Sequence, residues 1–204
     1  MRDDGRDHDC ERRFSDLEPG LAELQQRLAA DIAALLATVR TVTQAQADWR
    51  PVEGRWSVGE VLHHLVLSNR AFALAVRTLI ERGKGAELAA RPGSRRTWPR
   101  LRSIAEVKTL GPVKNPDRVT PAHGLPIEAL RRDLSASHGA LAEQIPQLAG
   151  LDLEALRLPH PLGFELNLFH WVDIAGAHEQ RHLRQIEAIM AEPAFPHAGE
   201  ESLR

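Results

Sequence analysis

Tyrosine is absent from this chain of 204 residues, methionine occurs twice and cysteine once. Aromatic residues make up only 4% of it, so recognition of bases or sugars by stacking platforms is not expected. The single cysteine, Cys10, lies in a charged stretch near the start and has no internal partner for a disulfide. Catalysis by a protein thiol is not expected either, and a reducing, cytoplasmic setting is the default expectation. No run of about eighteen apolar residues occurs, so no membrane-spanning helix is expected. The opening MRDDGRDHDCERRF has no apolar core of the kind a secretory signal needs. A formal net charge of −2 lacks the basic excess of a nucleic-acid-binding protein. Gly-rich phosphate loops, a Ser-His-Asp set and CxxC pairs are also missing.

Histidine is present in quantity, with ten residues. Two of them, His178 and His182, stand four apart in HWVDIAGAHEQRHLRQIEAIM. On a helix, residues i and i+4 share a face, and here that face also carries Leu168, Trp171, Ala175, Ile186 and Ile189. At about 100° per residue, both imidazoles fall within roughly 40° of the centre of this apolar stripe. Burying two imidazoles is costly unless each finds a partner, and a divalent cation held by neutral rings satisfies both. The bland alternative is a pair of core histidines bonded to polar neighbours.

Two ligands rarely hold a catalytic metal, since three plus a water is the usual set. GRWSVGEVLHHLVLSNRAFALAVRTLI offers the third. Ser57 and Glu60 form a capping box, and Trp56 with Val61 is placed for a hydrophobic staple. Val58, Val61, Leu62, Leu65, Phe72, Val76 and Leu79 form the inward stripe. His64 lies about 100° from its centre, at the core edge, while His63 lies nearly opposite. His64 is therefore the expected ligand and His63 a surface residue.

These segments carry a resemblance. W-S-x-x-E-x-x-x-H-L (Trp56 to Leu65), followed about a hundred residues later by H-x-x-x-H-x-x-Q-I (His178 to Ile186), resembles the DinB/YfiT-like superfamily of metalloenzymes. The resemblance covers roughly Leu17 to Met190. It implies an all-α four-helix bundle that holds one divalent metal ion at one end of the bundle through His64, His178 and His182. Zinc is the expected ion, with nickel or iron as alternatives. It further implies a small-molecule substrate and a low-molecular-weight thiol as co-substrate, since relatives include thiol S-transferases and thiol-dependent isomerases. Pairing through helix faces into a homodimer is the oligomeric state it suggests. The expected function is a metal-dependent enzyme that activates a thiol or water. The alternative is a non-catalytic metal-binding or stress-response bundle acting as a structural or interaction protein.

The rest of the chain reads as one domain, 17–191, between a charged tail, 1–16, and a frayed end, 192–204. A first helix is expected from near Asp16 to about Thr43, on the stripe Leu17, Leu21, Leu24, Leu28, Ile32, Leu35, Val39 and Val42. The second is expected from Ser57 to about Arg82, the third from Pro126 or Ile127 to Leu148, and the fourth from Asn167 to about Met190. Between the second and third helices, 83–126 contains six prolines and is read as a long insertion with a short helix in RTWPRLRSIAEVKTL. Arg95, Arg96, Arg100 and Arg102 beside Trp98 form a basic cluster there, read first as solvated loop and second as a site for an anionic substrate or a nucleic-acid backbone. No strand alternation stands out, and PHPLGFELN is read as a plain bridge. Glu60 is assigned to capping, Gln185 to the helix edge, His170 to the surface or to the surroundings of the ligands, His138 to a structural role and His160 to the loop. Trp49, Trp56 and Trp171 are read as packing anchors.

Overall fold

The computed structural model describes residues 19–90, 117–161 and 163–196. The expected tail 1–16, the basic cluster around Trp98 and the short helix of the insertion lie outside these residues.

Four long amphipathic segments do form a helical bundle. Helix α1 spans Pro19–Val39, α3 Val58–Gly85, α4 Ile127–Ala142 and α5 Leu168–Met190, with a short α2, Gln44–Asp48, after α1. Every described apolar residue of the stripes in the first, second and fourth helices is buried apart from Ile32, which is partly so. The first helix does not reach Thr43. Thr43 instead caps α2: its hydroxyl accepts from the Gln46 N–H while the Gln46 amide accepts from the Thr43 N–H, a capping box overlooked in T-x-x-Q. The guanidinium of Arg131 donates to the carbonyl of Val39, the last residue of α1, and to that of Val42 in the turn beyond it.

The other boundaries move for identifiable reasons. Helix α3 begins at the expected cap, where Ser57 Oγ accepts from Glu60 N and Glu60 Oε2 accepts from Ser57 N, and it continues to Gly85. Helix α4 stops at Ala142, short of Leu148, and a 3-10 turn, Ile145–Leu148, follows; Pro146 cannot donate an α-helical bond. PHPLGFELN is more than a bridge: strands β1 (Arg157–Pro159) and β2 (Glu165–Asn167) pair antiparallel with Leu158 opposite Leu166. Three-residue strands are too short to show an alternation in sequence. Gly163, at φ 89°, permits the turn between them. Asn167 then ends β2 and caps α5 by accepting from the His170 N–H. Residues 192–196 are not a frayed end, because Phe195 is buried edge-on against Trp49.

The apolar core falls into two clusters. One gathers α1, the later half of α3 and the start of α5 around Leu24, Phe72, Leu79 and Trp171. The other joins the end of α1, the start of α3, α4 and the end of α5 around Leu35, Leu62, Leu134 and Ile186. Helices α3 and α5 therefore run antiparallel. Between the clusters lies a belt of buried polar side chains: His64, Ser68, Asn69, Ser137, His138, Glu179 and His182. The histidines thus sit between two apolar regions rather than beyond one end of the core. Helices α1 and α5 approach closely enough that a β-carbon on Gly176 would fall 2.7 Å from Asp31 Oδ2. Arg27 to Asp173 (2.8 Å) and Gln180 to Asp31 (2.7 Å) bind the same pair of helices.

Candidate metal centre

His64, His178 and His182 come together, each with one ligand atom within 4.8 Å of the others. His178 Nε2 lies 3.2 Å from His64 Nε2 and 3.2 Å from His182 Nε2. Helix α3 supplies the first ring from its second turn, and α5 supplies the other two from successive turns of one face. Metal–nitrogen bonds of about 2.0–2.1 Å put ligand nitrogens about 2.8 to 3.4 Å apart across octahedral and tetrahedral edges. The observed spacing fits that range.

The tautomers strengthen the fit. A carbonyl oxygen only accepts, so the His64 Nδ1 that lies 2.8 Å from Val119 O carries its proton and donates it. His182 Nδ1 likewise donates to Gln185 Oε1 at 2.8 Å. In the neutral rings Nε2 of both is then a lone pair, and both lone pairs point at His178 Nε2. One proton on His178 can serve only one of them, whereas a cation serves all three. Gln185 and the Val119 carbonyl are the outer hydrogen-bond acceptors that ligating histidines ordinarily require. The buried Nδ1 of His178 has no hydrogen-bond partner among the described residues.

All three rings are held neutral. Burial pushes His64 below the usual imidazole value, and Arg181 adds to the effect. His182 is pushed down to about 3, by burial first and then by His64. His178 keeps some solvent contact, yet its ring is enclosed by protein and lies well below 6.5, through burial and then through His182 and His64. Trp56 packs 4.9 Å from the His64 ring and 6.5 Å from that of His182, and Phe72 stands edge-on 5.6 Å from His178. These aromatic walls lower the local dielectric and so account for the neutral rings.

The remaining candidates separate cleanly. His63 is half-buried rather than at the surface, and its Nδ1 accepts from the Ala122 N–H. Glu60 caps α3 as expected and also accepts both arms of Arg50, with His123 3.5 Å away. Burial works against its charge, but the Arg50 hydrogen bond and the Ser57 N–H hold its carboxyl below the ordinary value. Gln185 is not an idle edge residue but the acceptor for His182. His138 is structural, donating to Glu179 Oε1 at 3.0 Å. His160 lies in the loop as expected, but that loop joins β1 to β2, and there it stacks on Phe164 and lies 5.3 Å from Trp171. Burial and Arg118 push it down to about 4.

Four features escaped the sequence reading: Val119, Asn69, Glu179 and His123. The Val119 contact is made by a main-chain atom, which no side-chain pattern reveals. Glu179 stands on the flank of α5 at zero exposure and accepts from Asn69 Nδ2 (2.8 Å) as well as from His138. A charged residue beside His178 in HEQRH reads as solvated helix surface, and only the packing of three helices buries it.

Fold and site together describe a helical bundle with an inward three-histidine group that could hold a divalent metal ion. The chain belongs to the DinB superfamily, whose sequence profile matches residues 27–186. The uncharacterised protein YuaE of Bacillus subtilis (strain 168) is 29% identical over 155 residues, covering 74% of this chain and 87% of the relative. No solved structure matches the chain significantly. No helix among the described residues is long and apolar enough to cross a membrane.

Proposed function

We propose that this protein is a metal-dependent enzyme in which His64, His178 and His182 hold one divalent ion, zinc in the first instance, and a low-molecular-weight thiol or water is activated for attack on a small electrophile. The observation that carries this reading is the convergence of three Nε2 atoms whose opposite nitrogens, in two of the three rings, are already committed to Val119 O and Gln185 Oε1. Among the described residues no fourth His, Cys, Asp or Glu joins the group. Three ligands favour an open coordination position over a closed structural shell. A divalent ion there would lower the pKa of a thiol or water and so supply a nucleophile near neutral pH.

The chain's own residues supply the setting. Val119 and Gln185 orient the rings and keep Nε2 free of protons. Trp56 and Phe72 limit water on two sides of the rings, strengthening every charge interaction inside. In a thiol reaction the sulfur loses its proton, forms a bond to the electrophilic carbon, and the leaving group departs with its electron pair. A cytoplasmic homodimer remains the setting we propose from the family resemblance.

Zinc- or nickel-loaded protein is expected to accelerate arylation of mercaptoethanol or glutathione by chlorodinitrobenzene by about tenfold or more, as for a thiol made anionic near neutral pH. Chelation or His64→Ala is expected to abolish the gain. Acceleration that survives both would contradict the proposal.

A further inference from the structure

Two exposed arginines adjoin residues of the histidine site in the chain and have no partner among the described residues. Arg181 lies in α5 between His178 and His182, about 60° around the axis from the first and 100° from the second. Arg118 adjoins Val119, whose carbonyl touches His64 Nδ1 at 2.8 Å. Neither makes a hydrogen bond or ion pair among the described residues. Arg27, Arg50, Arg70 and Arg131 are by contrast paired, with Asp173, Glu60, Asp133 and Glu128, while other exposed arginines such as Arg77 and Arg184 are also unpaired among the described residues.

We propose, on the basis of the metal-site reading above, that Arg118 and Arg181 form a cationic rim that selects small ligands carrying a carboxylate in addition to the group that reaches the metal.

The charge balance supports this. The field of Arg181 reaches all three ligand rings, and that of Arg118 reaches His160, which in turn acts on His178. No carboxylate contributes to the field at these four rings. A dication held by three neutral imidazoles would add to this positive field, and the buried carboxylates nearest in the chain are already engaged, Glu179 by Asn69 and His138 and Glu60 by Arg50. A ligand bringing negative charge restores the balance, and the guanidinium fork suits a carboxylate in particular. Exposure of both arginines leaves them free to reach an incoming molecule. The aromatic walls of Trp56 and Phe72 reduce screening on the inner side.

The test uses the cobalt-loaded full chain and reads the thiolate-to-cobalt absorption during titration with mercaptosuccinate and with mercaptoethanol. Mercaptosuccinate is expected to bind about tenfold more tightly at low salt, a gap that added salt closes. Arg118→Gln/Arg181→Gln is expected to erase the gap at unchanged cobalt content, and Arg118→Lys/Arg181→Lys to retain most of it. Equal affinities in the parent, or a gap that persists in the glutamine variant, would overturn the rim. If neither thiol produces the absorption band, the thiol reading fails, and the rim is read from calorimetric titration with succinate. Binding of succinate to the parent but not to the glutamine variant upholds the rim, and no binding to the parent overturns it.

Discussion

Acidification below pH 6.5 is expected to destabilise the metal-free protein steeply, because His178 and His182 stay neutral when folded and charge when unfolded. An unfolded histidine binds its proton near pH 6.5. The folded His182 binds its own only at about 3, and His178 is likewise held well below the ordinary value. Between those limits the unfolded chain carries more protons, so stability rises with pH across the window and falls as pH drops through it. Above pH 6.5 both states are neutral and the histidines contribute no slope. His182 approaches a slope of about 1.4 kcal/mol per pH unit and so withdraws about 1.6 kcal/mol between pH 6.5 and 5, and His178 adds in the same direction. His64 adds in the same direction, and His160 adds less because solvent screens its partly open ring. Urea unfolding at a series of pH values measures the slope. A His178→Leu/His182→Leu variant should lose about two protons of uptake on unfolding. A parent whose stability is flat from pH 7 to 5 would contradict the neutral, buried pair.

The second large effect is expected at Glu179. Its carboxylate is fully buried between α3, α4 and α5 and accepts from Asn69 Nδ2 and His138 Nδ1. Glu179→Ala would leave both donors unpaired in the interior and open a cavity, at a cost of about 3–5 kcal/mol. Glu179→Gln keeps an acceptor for them and should cost about 1–2 kcal/mol. Unfolding curves separate the two, and equal small losses in both would show that the three-helix junction does not depend on this group. Buried and without hydrogen-bond partners, Glu179 Oε2, His138 Nε2 and Asn69 Oδ1 are the atoms that ordered water would satisfy.

Much of this site was legible in the amino-acid sequence because its grammar is local. An i, i+4 pair of histidines shares a face wherever the helix forms, and the apolar stripe of α5 states which face points inward. The same reasoning placed His64 rather than His63 at the core, and the Ser57–Glu60 box marked where α3 begins. What stayed hidden depends on contacts between distant segments. Residues 117–123 return onto the start of α3, where Val119, Ala122 and His123 meet His64, His63 and Glu60. No periodicity in a proline-rich stretch announces that return. The burial of Glu179 and the pairing of β1 with β2 are hidden for the same reason, since both depend on what packs opposite them.

The most direct test of the account is elemental analysis of protein purified without chelators, beside a His178→Ala/His182→Ala variant. The account predicts about one zinc, nickel or iron per parent chain and less than about a tenth as much in the variant. A parent that holds no metal even after zinc or nickel is added, or a variant that holds as much as the parent, would contradict it.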